Sequence, residues 1–524
     1  MLEFGYPKVH DGKNTLYSLW APWRRAGIGI HEPSDAYTGS PWVQYYVGAL
    51  GVALGPSSGD LYARTAWVRL PFALAGCAGL ALIFAAVAPA LGRGRARRLA
   101  FAALYALLFS ASVSLQLHLR EARHYPLTVL ESGLLLLVFA RRQIAGRLRF
   151  AAYAAGLCGA LLLLFHTFHP AALAWGACCG LWLAARAARR EGTARQRLVW
   201  LAREGAPLLA AALLTLPLLG FFDFFAQTQG WVERYGDPSR WLRNAGFLAW
   251  TLLRHEWLAP VLALRAGALW LASRGEPGGE TFRERQALAG FLSLAIAVYA
   301  GIAIGIPFLF ERYFVVLGPL LCALGLVDLA SLLDAARDAS RARRHVARAA
   351  LALAAASLVV GLWVRSPELA GRFAEIRHVY RGPLDYVIPY LVERYPDPSA
   401  LVIATNYEEP AFMFYLKSRV IVGFYAPDLE QDLTLVPDVI VPRPWPDQLE
   451  ALQQLASRAR YEPHAFPVGN LRWNNTPSLS ARVGASAGHR FRDPVVDQDG
   501  PELVILERVR DPGPDSSPAA PPAP

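Results

Sequence analysis

The chain alternates long apolar runs with short polar connections between residues 71 and 364. Most of these runs are close to the ~20 residues that a helix needs to cross a bilayer, although the run at 126–140 is short. The apolar runs are residues 71–91, 99–119, 126–140, 150–168, 170–186, 199–222, 257–273, 286–309, 313–333 and 347–364. The pattern predicts a polytopic α-helical membrane protein with about ten visible spans.

Arginines are concentrated in every second connection between these runs. The arginine-rich connections are residues 93–98, 141–149, 186–197, 274–285 and 337–348. Because connections rich in Lys and Arg stay in the cytoplasm, the other connections are predicted to face outward. They are residues 120–125, 166–169, 223–256 and 310–312, together with residues 1–70 and the chain after 365.

The first 70 residues are predicted to form an outward-facing loop ahead of a transmembrane bundle at 71–364. Residues 1–40 contain neither a cleavable signal pattern nor an apolar run that would carry them across the membrane. Either one N-terminal helix is missing from the start of the chain, which is the reading we favour, or the segment crosses the membrane together with the first hairpin. Residues 41–57 are rich in aromatic side chains and shorter than a span, which predicts a helix lying along the membrane surface.

The composition changes after the last apolar run. Helical periodicity returns at 383–395, 408–417 and 446–458, and strand-like runs of β-branched residues separate these segments. The strand-like runs are residues 401–405, 420–424 and 438–442. This alternation predicts a small soluble α/β domain with a partly parallel sheet at 365–510. The proline-rich end at 511–524 is predicted to be disordered.

Composition narrows the class of protein. Of the 524 residues, 54% are hydrophobic and only 18% are charged, which is too apolar for a soluble protein. The net charge of +11 comes from short arginine clusters rather than from one basic face, so no nucleic-acid partner is predicted. The five cysteines lie inside apolar runs without CxxC or Cys/His spacing, so they predict neither a disulfide framework nor a zinc site. Arginine-rich, lysine-poor usage and the absence of a disulfide framework favour a bacterial inner (plasma) membrane, and the positions of the arginine clusters predict an extracytoplasmic C-terminal domain.

One predicted outward connection holds the chain's densest group of charges. Arg120, Glu121, Arg123, His124 and Tyr125 follow one another between two apolar runs. Ionisable side chains near a bilayer cost a few kcal/mol each unless they are paired or hydrated, which favours a functional site. The alternative is an interfacial salt-bridge network that only ends a helix.

Further polar side chains belong to the other predicted outward connections. They are His166 and His169; Arg254, His255 and Glu256; Glu311 and Arg312; and, in the first loop, Asp11, Glu32 and Asp35. The histidine pair favours a hydrogen-bonded helix end over a metal site, because no nearby carboxylate completes a set of three ligands. A plain amphipathic corner is the alternative for the 254–256 group.

Glu131 lies within an apolar run and needs a partner or a wet cavity. The nearest candidate partners along the sequence are Arg123 and Arg120.

These residue types suit the binding of a lipid phosphate. Guanidinium groups keep their charge and grip phosphate bidentately. A carboxylate on the same rim suits a general base that takes a proton from an attacking hydroxyl. The chemistry predicted from the residues is transfer of a group from a lipid phosphate at the mouth of the bundle.

Three ordered segments resemble one family of membrane enzymes. They are SPWVQYYVGALGVALG with YARTAWVRLPFALAG, then REARHYPLTVLESGLLLL, then FLFERYFVVLGPLLCALGL, and together they cover residues 40–326. They are similar to segments of the polyprenyl-phosphate-sugar glycosyltransferases of the GT-C superfamily. That group includes the protein O-mannosyltransferases and the lipid A aminoarabinose transferases, of the glycosyltransferase family 39 type.

The resemblance implies an inverting transfer of a sugar from a polyprenyl-phosphate donor to a hydroxyl of a lipid, polysaccharide or protein acceptor. It implies Asp11 as the base, with Glu32 and Asp35 as alternatives because Gly12 stands where the family has a second acid. It implies Arg120, Glu121, Arg123 and Tyr125 as the donor-site rim, with Arg312 on the lipid phosphate. The supporting residues are then His124, Glu131, His166, His169, His255 and Glu311.

Two other functions stay open. The first is a catalytically degenerate GT-C-like scaffold protein, because the second acidic residue of the first loop is missing. A transporter or flippase for lipid-linked sugars also holds arginines and carboxylates in a membrane cavity, but it usually shows internal repeats and broken helices. No cofactor is required by these residues, and a divalent metal held by carboxylates of the first loop stays open.

Overall fold

The computed structural model describes residues 43–55, 63–92, 94–221, 225, 229, 232–233, 239–274, 280–306, 309–338, 340–377, 382–423, 429–470 and 501–509. These residues divide into two compact units, with the division between 378 and 379. We call the described residues up to 377 the helical unit and those from 382 onward the sheet unit. The predicted base residues Asp11, Glu32 and Asp35, and the tail at 511–524, lie outside the described residues.

The described part of the helical unit consists mainly of α-helices. They are α1 (Val43–Leu54), α2 (Ala63–Val87), α3 (Arg95–Ser110), α4 (Val113–His118), α5 (His124–Phe139), α6 (Phe150–Phe165), α7 (His169–Arg189), α8 (Ala194–Phe221), α9 (Arg240–His255), α10 (Leu258–Ser273), α11 (Glu280–Ile304), α12 (Leu317–Asp338) and α13 (Arg341–Arg377). Short 3-10 turns lie at Ala88–Leu91 and Glu311–Phe314, and a π-helical turn at Ala140–Ile144 follows α5.

Within the described residues, six helical stretches are long and apolar enough to cross a membrane. They are Ala63–Leu91, His169–Arg189, Ala194–Pro217, Thr281–Ile304, Glu311–Arg337 and Arg341–Gly371. The apolar helices α6 and α10 are shorter. The prediction of an apolar helical bundle is confirmed at this level.

The predicted single helix at 99–119 is wrong. α3 ends at Ser110, and the side chain of Ser112 accepts a hydrogen bond from the backbone N–H of Leu115, which caps a new helix. A serine that bonds the backbone in this way favours a helix start over a helix interior. The helix therefore breaks just before the charged connection.

The ends of the bundle differ from the predicted boundaries. α2 begins at Ala63, so residues 63–70 belong to the bundle and not to the first loop. α13 runs to Arg377, past the predicted end at 364, and the units divide after residue 378 instead of after 364. Backbone hydrogen bonds do not require apolar side chains, so a helix can extend into polar sequence. The apolar pattern therefore ends before the helix does.

Close packing at glycines joins α1, α2 and α5. A Cβ atom at Gly79 would lie 2.5 Å from the backbone nitrogen of Leu130, and one at Gly133 would lie 2.6 Å from the carbonyl oxygen of Gly79. At Gly51 of α1, a Cβ would lie 2.6 Å from the carbonyl oxygen of Trp67. α12 is almost entirely buried, whereas α8 and α13 are mostly exposed along their apolar stretches.

The arginine-rich connections meet at one end of the helical unit. Arg97 and Arg285 both donate to Asp334, at 2.7 Å each, near the end of α12. Arg343 donates to the carbonyl oxygen of Arg274 at 2.9 Å. Arg142 pairs with Glu204 of α8 at 2.5 Å, and α11 contacts the π-helical turn in which Arg142 lies. We call this the arginine-rich end.

The sheet unit contains a mixed five-stranded sheet in the order β2-β1-β3-β5-β4. The strands are β1 (Val402–Thr405), β2 (Arg419–Val422), β3 (Val439–Val441), β4 (Tyr461–Gly469) and β5 (Glu502–Arg508). β1 pairs in parallel with β2 and β3, while β5 pairs antiparallel with β3 and β4. The described helices are α14 (Leu384–Arg394), α15 (Glu409–Leu416), α16 (Leu429–Asp432) and α17 (Leu449–Ala456). The predicted partly parallel sheet is present, and β4 and β5 were not predicted.

Candidate functional site

The charged connection begins with a buried His–Glu pair. α4 ends at His118 and α5 begins at His124, so residues 119–123 form a tight turn between two helices. The Nδ1 atom of His118 lies 2.9 Å from Oε1 of Glu121, and the two side chains are 0% and 1% exposed. With Nδ1 protonated, the imidazole donates to the carboxylate and fixes its position.

Glu121 is held in its ionised form. Burial alone would raise its pKa, but the hydrogen bond and charge of His118, with the charges of Arg123 and Arg312, outweigh burial and lower the pKa to about 2. A carboxylate with so low a pKa is a poor general base at neutral pH. Glu121 is therefore suited to orient and balance the neighbouring cations.

Arg312 lies among aromatic rings. Its guanidinium carbon is 4.1 Å from the ring centroid of Phe310 and 5.8 Å from that of Tyr125. Tyr125 is buried, and its ring centroid is 6.4 Å from that of Tyr313. Cation–π contacts of this kind hold a guanidinium in place without neutralising it.

The turn between α6 and α7 completes the cluster. Phe168 stacks on His124 with ring centroids 4.8 Å apart, and it also stacks on Tyr313 at 5.5 Å. Three connections that are far apart in sequence, at 118–125, 166–169 and 310–313, therefore converge. We call this convergent group the rim cluster, and it consists of His118, Glu121, Arg123, His124, Tyr125, Phe168, Phe310, Arg312 and Tyr313.

The histidines of the α6–α7 turn pack against phenylalanine. The rings of His166 and His169 lie 5.3 Å and 4.5 Å from that of Phe165. Burial lowers the pKa of His166 to about 4, so this side chain is neutral at pH 7. Among the described residues, no group of three or more His, Cys, Asp or Glu side chains is placed to hold a metal ion.

The predicted arginine partner of Glu131 is wrong. Oε1 of Glu131 accepts a hydrogen bond of 2.7 Å from the hydroxyl of Thr167, and both side chains are buried. Oε2 has no hydrogen-bond partner among the described residues. The bond ties the middle of α5 to the α6–α7 turn, at the residue that precedes Phe168.

His255 belongs to a second polar group. It lies 3.0 Å from Glu368 of α13, and Arg254 lies 3.4 Å from the same carboxylate. The neighbouring Glu256 accepts from the hydroxyl of Ser112 at 2.8 Å. Arg365 donates to the backbone oxygen of Glu256 at 2.7 Å, so α13 is fastened to the α9–α10 junction. A plain amphipathic corner, which was the alternative for residues 254–256, would not need these contacts with α13 and Ser112.

Sequence reasoning missed Ser112, Arg365 and Glu368. Arg365 follows the apolar run at 347–364 directly, and a charge at that position was the available signal. Of the other predicted site residues, Arg120 is half-buried in the 119–123 turn and Glu311 is buried at the start of its 3-10 turn.

The side chains of the rim cluster are of the types that bind anions. It combines two arginines, one ionised carboxylate near both of them, and aromatic rings in contact with Arg312. Guanidinium N–H groups match the geometry of phosphate oxygens, so the two arginines have the chemistry to bind a phosphate.

Comparison with known proteins finds no matching family model and no matching curated sequence.

Proposed function

We propose that this protein is a membrane glycosyltransferase that moves a sugar from a polyprenyl-phosphate donor to an acceptor hydroxyl. The observation that carries the proposal is the rim cluster, in which Arg123 and Arg312 act on the ionised Glu121 beside buried aromatic rings. The proposal also uses the resemblance of residues 40–326 to the GT-C transferases. The protein would be multi-pass in the inner membrane, with the rim cluster on its outer side.

Charge and depth support a lipid phosphate as the bound group. The connections that meet at the arginine-rich end are those predicted to be cytoplasmic. The rim cluster is formed by other connections, which are predicted to face outward. A phosphate on a membrane lipid lies at the depth where such connections end. Two guanidinium groups at that depth would bind the donor phosphate and stabilise it as it leaves.

The aromatic members of the rim cluster support a sugar beside that phosphate. Phe168 carries a flat apolar face without a polar group, whereas Tyr125 and Tyr313 combine such a face with a hydroxyl at the edge. Such side chains pack against the apolar face of a ring while their hydroxyls bind its polar edge. A bare ion or an oligopeptide would make fewer contacts with these aromatic rings than a sugar ring would.

The base that activates the acceptor must be another carboxylate than Glu121. The low pKa of Glu121 removes it from that role, and one oxygen of Glu131 is already engaged by Thr167. The base then comes from the first loop, with Asp11 as the first choice and Glu32 and Asp35 as alternatives. The sheet unit would bind the lipid, polysaccharide or protein acceptor.

The test measures transfer of radiolabelled sugar from a polyprenyl phosphate in membranes that contain the full chain. Arg123→Ala and Arg312→Ala should each lower transfer by about 100-fold or more, as the loss of a charge-stabilising donor does. Asp11→Asn should abolish it. Arg348→Ala, which removes an exposed arginine at the arginine-rich end, should leave it unchanged.

Three outcomes would contradict the proposal. Full transfer by Arg123→Ala and Arg312→Ala would remove the rim cluster from the donor site. No transfer by the folded wild-type chain, tested with hexose and pentose donors, would favour a scaffold protein. Movement of the lipid-linked sugar between leaflets without transfer would favour a flippase.

A further inference from the structure

α7 and α8 enclose an apolar groove on the surface of the helical unit. Its volume is about 440 Å³, and every residue that lines it is Gly, Ala or Leu. Gly180 and Leu183 line it from α7, and Leu201, Gly205, Leu208 and Leu213 line it from α8. Both helices are apolar enough to cross a membrane, so the groove would open towards lipid.

The two glycines leave space that no protein atom uses. A Cβ atom at Gly180 or Gly205 would meet nothing within 4 Å. This differs from Gly79, where a Cβ would lie 2.5 Å from the backbone of the neighbouring helix. The glycines of the groove are therefore not needed for close helix packing, and they widen the groove instead.

Arginines stand at one end of the groove. Arg197 precedes Leu201 by one helical turn on α8, so the two side chains share a face. Its Nε atom is buried and has no hydrogen-bond partner among the described residues. Arg190 follows α7, and its guanidinium carbon lies 5.4 Å from the ring centroid of Trp200 on α8. Both arginines lie at the arginine-rich end.

The length of the groove matches one leaflet. From Leu201 to Leu213 the groove extends about 18 Å along α8, at a rise of ~1.5 Å per residue. Half of a hydrocarbon core of ~30 Å is about 15 Å. A chain in this groove would therefore run from the arginines to about the middle of the bilayer.

We propose that the groove binds one acyl chain of an anionic phospholipid, with the lipid phosphate held by Arg190 and Arg197. Charge supports an anionic headgroup: the buried carboxylate of Glu204 on α8 already pairs with Arg142, and the end of α7 also carries Arg186 and Arg189. Basic pockets between helices are typical sites for such headgroups. The proposal requires that α7 and α8 lie in a membrane, and it is independent of sugar transfer.

The test measures lipid retention by the purified full-length protein in mixed micelles, using native mass spectrometry. Phosphatidylglycerol should be retained in preference to phosphatidylcholine. Gly205→Leu should lower retention about tenfold, since its side chain would displace about two methylenes of the acyl chain. Gly180→Leu should do the same from the opposite wall. Gly159→Leu is the matched control, because Gly159 on α6 also faces open space away from the groove.

The headgroup contacts are tested separately. Arg190→Ala and Arg197→Ala should each weaken retention of phosphatidylglycerol about fivefold and leave phosphatidylcholine unchanged. Arg195→Ala, which removes an exposed arginine of the same connection, is the control. Equal retention of the two lipids by all variants would mean annular lipid only and would overturn the proposal. Sugar transfer measured on the same variants distinguishes this failure from failure of the transferase proposal.

Discussion

At the scale of single residues, the buried carboxyl group of Glu131 is held by a hydroxyl from a different part of the chain. Glu131 stands out in its apolar run, yet Arg123 is eight residues away and lies about 12 Å along the helix axis. That distance exceeds the reach of the two side chains on one helix. The actual partner, Thr167, is separated by 36 residues in sequence and is brought close only by the packing of α5 against the α6–α7 turn. A side chain contributed by another helix cannot be identified from local spacing.

The His118–Glu121 pair predicts a stability difference at acid pH. Because the folded state lowers the pKa of Glu121 from 4.5 to about 2, its ionised form stabilises the fold above pH 4.5. That contribution should be lost as the pH falls from 4.5 towards 2. Thermal unfolding of the detergent-solubilised protein should show Glu121→Gln less stable than wild type at pH 6, and the gap should close in this window.

Glu191→Gln is the matched control for this prediction, because Glu191 is exposed at the arginine-rich end. It should follow the wild type at every pH. A gap between Glu121→Gln and wild type that stays constant from pH 6 to pH 2 would show that the ionised carboxylate does not stabilise the fold.

The Thr167–Glu131 bond predicts a coupling between two helices. Thr167→Val should lower the free energy of unfolding by about 1–3 kcal/mol, because a buried carboxyl oxygen loses its donor. The double variant Thr167→Val/Glu131→Leu should lose less free energy of unfolding than the two single variants together, since the carboxyl group without a donor is then absent. Chemical denaturation of the four proteins of this cycle measures the coupling. Thr215→Val, at a hydroxyl bonded within its own helix, should cost little, and strict additivity would argue against the bond.

At the scale of elements, the apolar pattern located most helices but not their ends or breaks. The Ser112 cap was visible as a residue type, yet the apolar residues on either side of it conceal the break between α3 and α4. β4 was missed because Pro463 and Pro467 interrupt a strand pattern. It tolerates them at the edge of the sheet, where it pairs with β5 alone among the described strands.

The contact between α2 and α5 predicts a strict size limit at Gly79. A Cβ atom there would lie 2.5 Å from the backbone of Leu130, so Gly79→Ala must push the two helices apart. Overpacking of this kind costs about 1–3 kcal/mol. Gly176→Ala on α7, where a Cβ would meet nothing within 4 Å, should be neutral or slightly stabilising. Thermal unfolding of both variants makes the comparison, and equal stability would contradict the close contact.

At the scale of the whole molecule, the sequence located the apolar bundle and the mixed sheet, but not the convergence of three distant connections into the rim cluster. Arginine counting assigned those connections to one side without giving any distance between them. The convergence depends on contacts between helices that are distant in sequence, such as those of α5 with α2 and of α7 with α11. The prediction that the rim cluster faces outward therefore rests on the distribution of arginines along the chain.

That side can be measured by cysteine labelling in intact cells, in a chain whose five native cysteines are replaced. If the arginine-rich end is cytoplasmic, Glu191→Cys should react with a membrane-impermeant maleimide only after the cells are permeabilised. α13 begins beside Arg341 at that end and is long enough to cross the bilayer, so the residues that follow it should emerge on the outer side. Lys417→Cys, at an exposed position of the sheet unit, should then react in intact cells. Labelling of both positions from the same side would contradict the assigned orientation, and it would place the sheet unit away from any acceptor outside the cell.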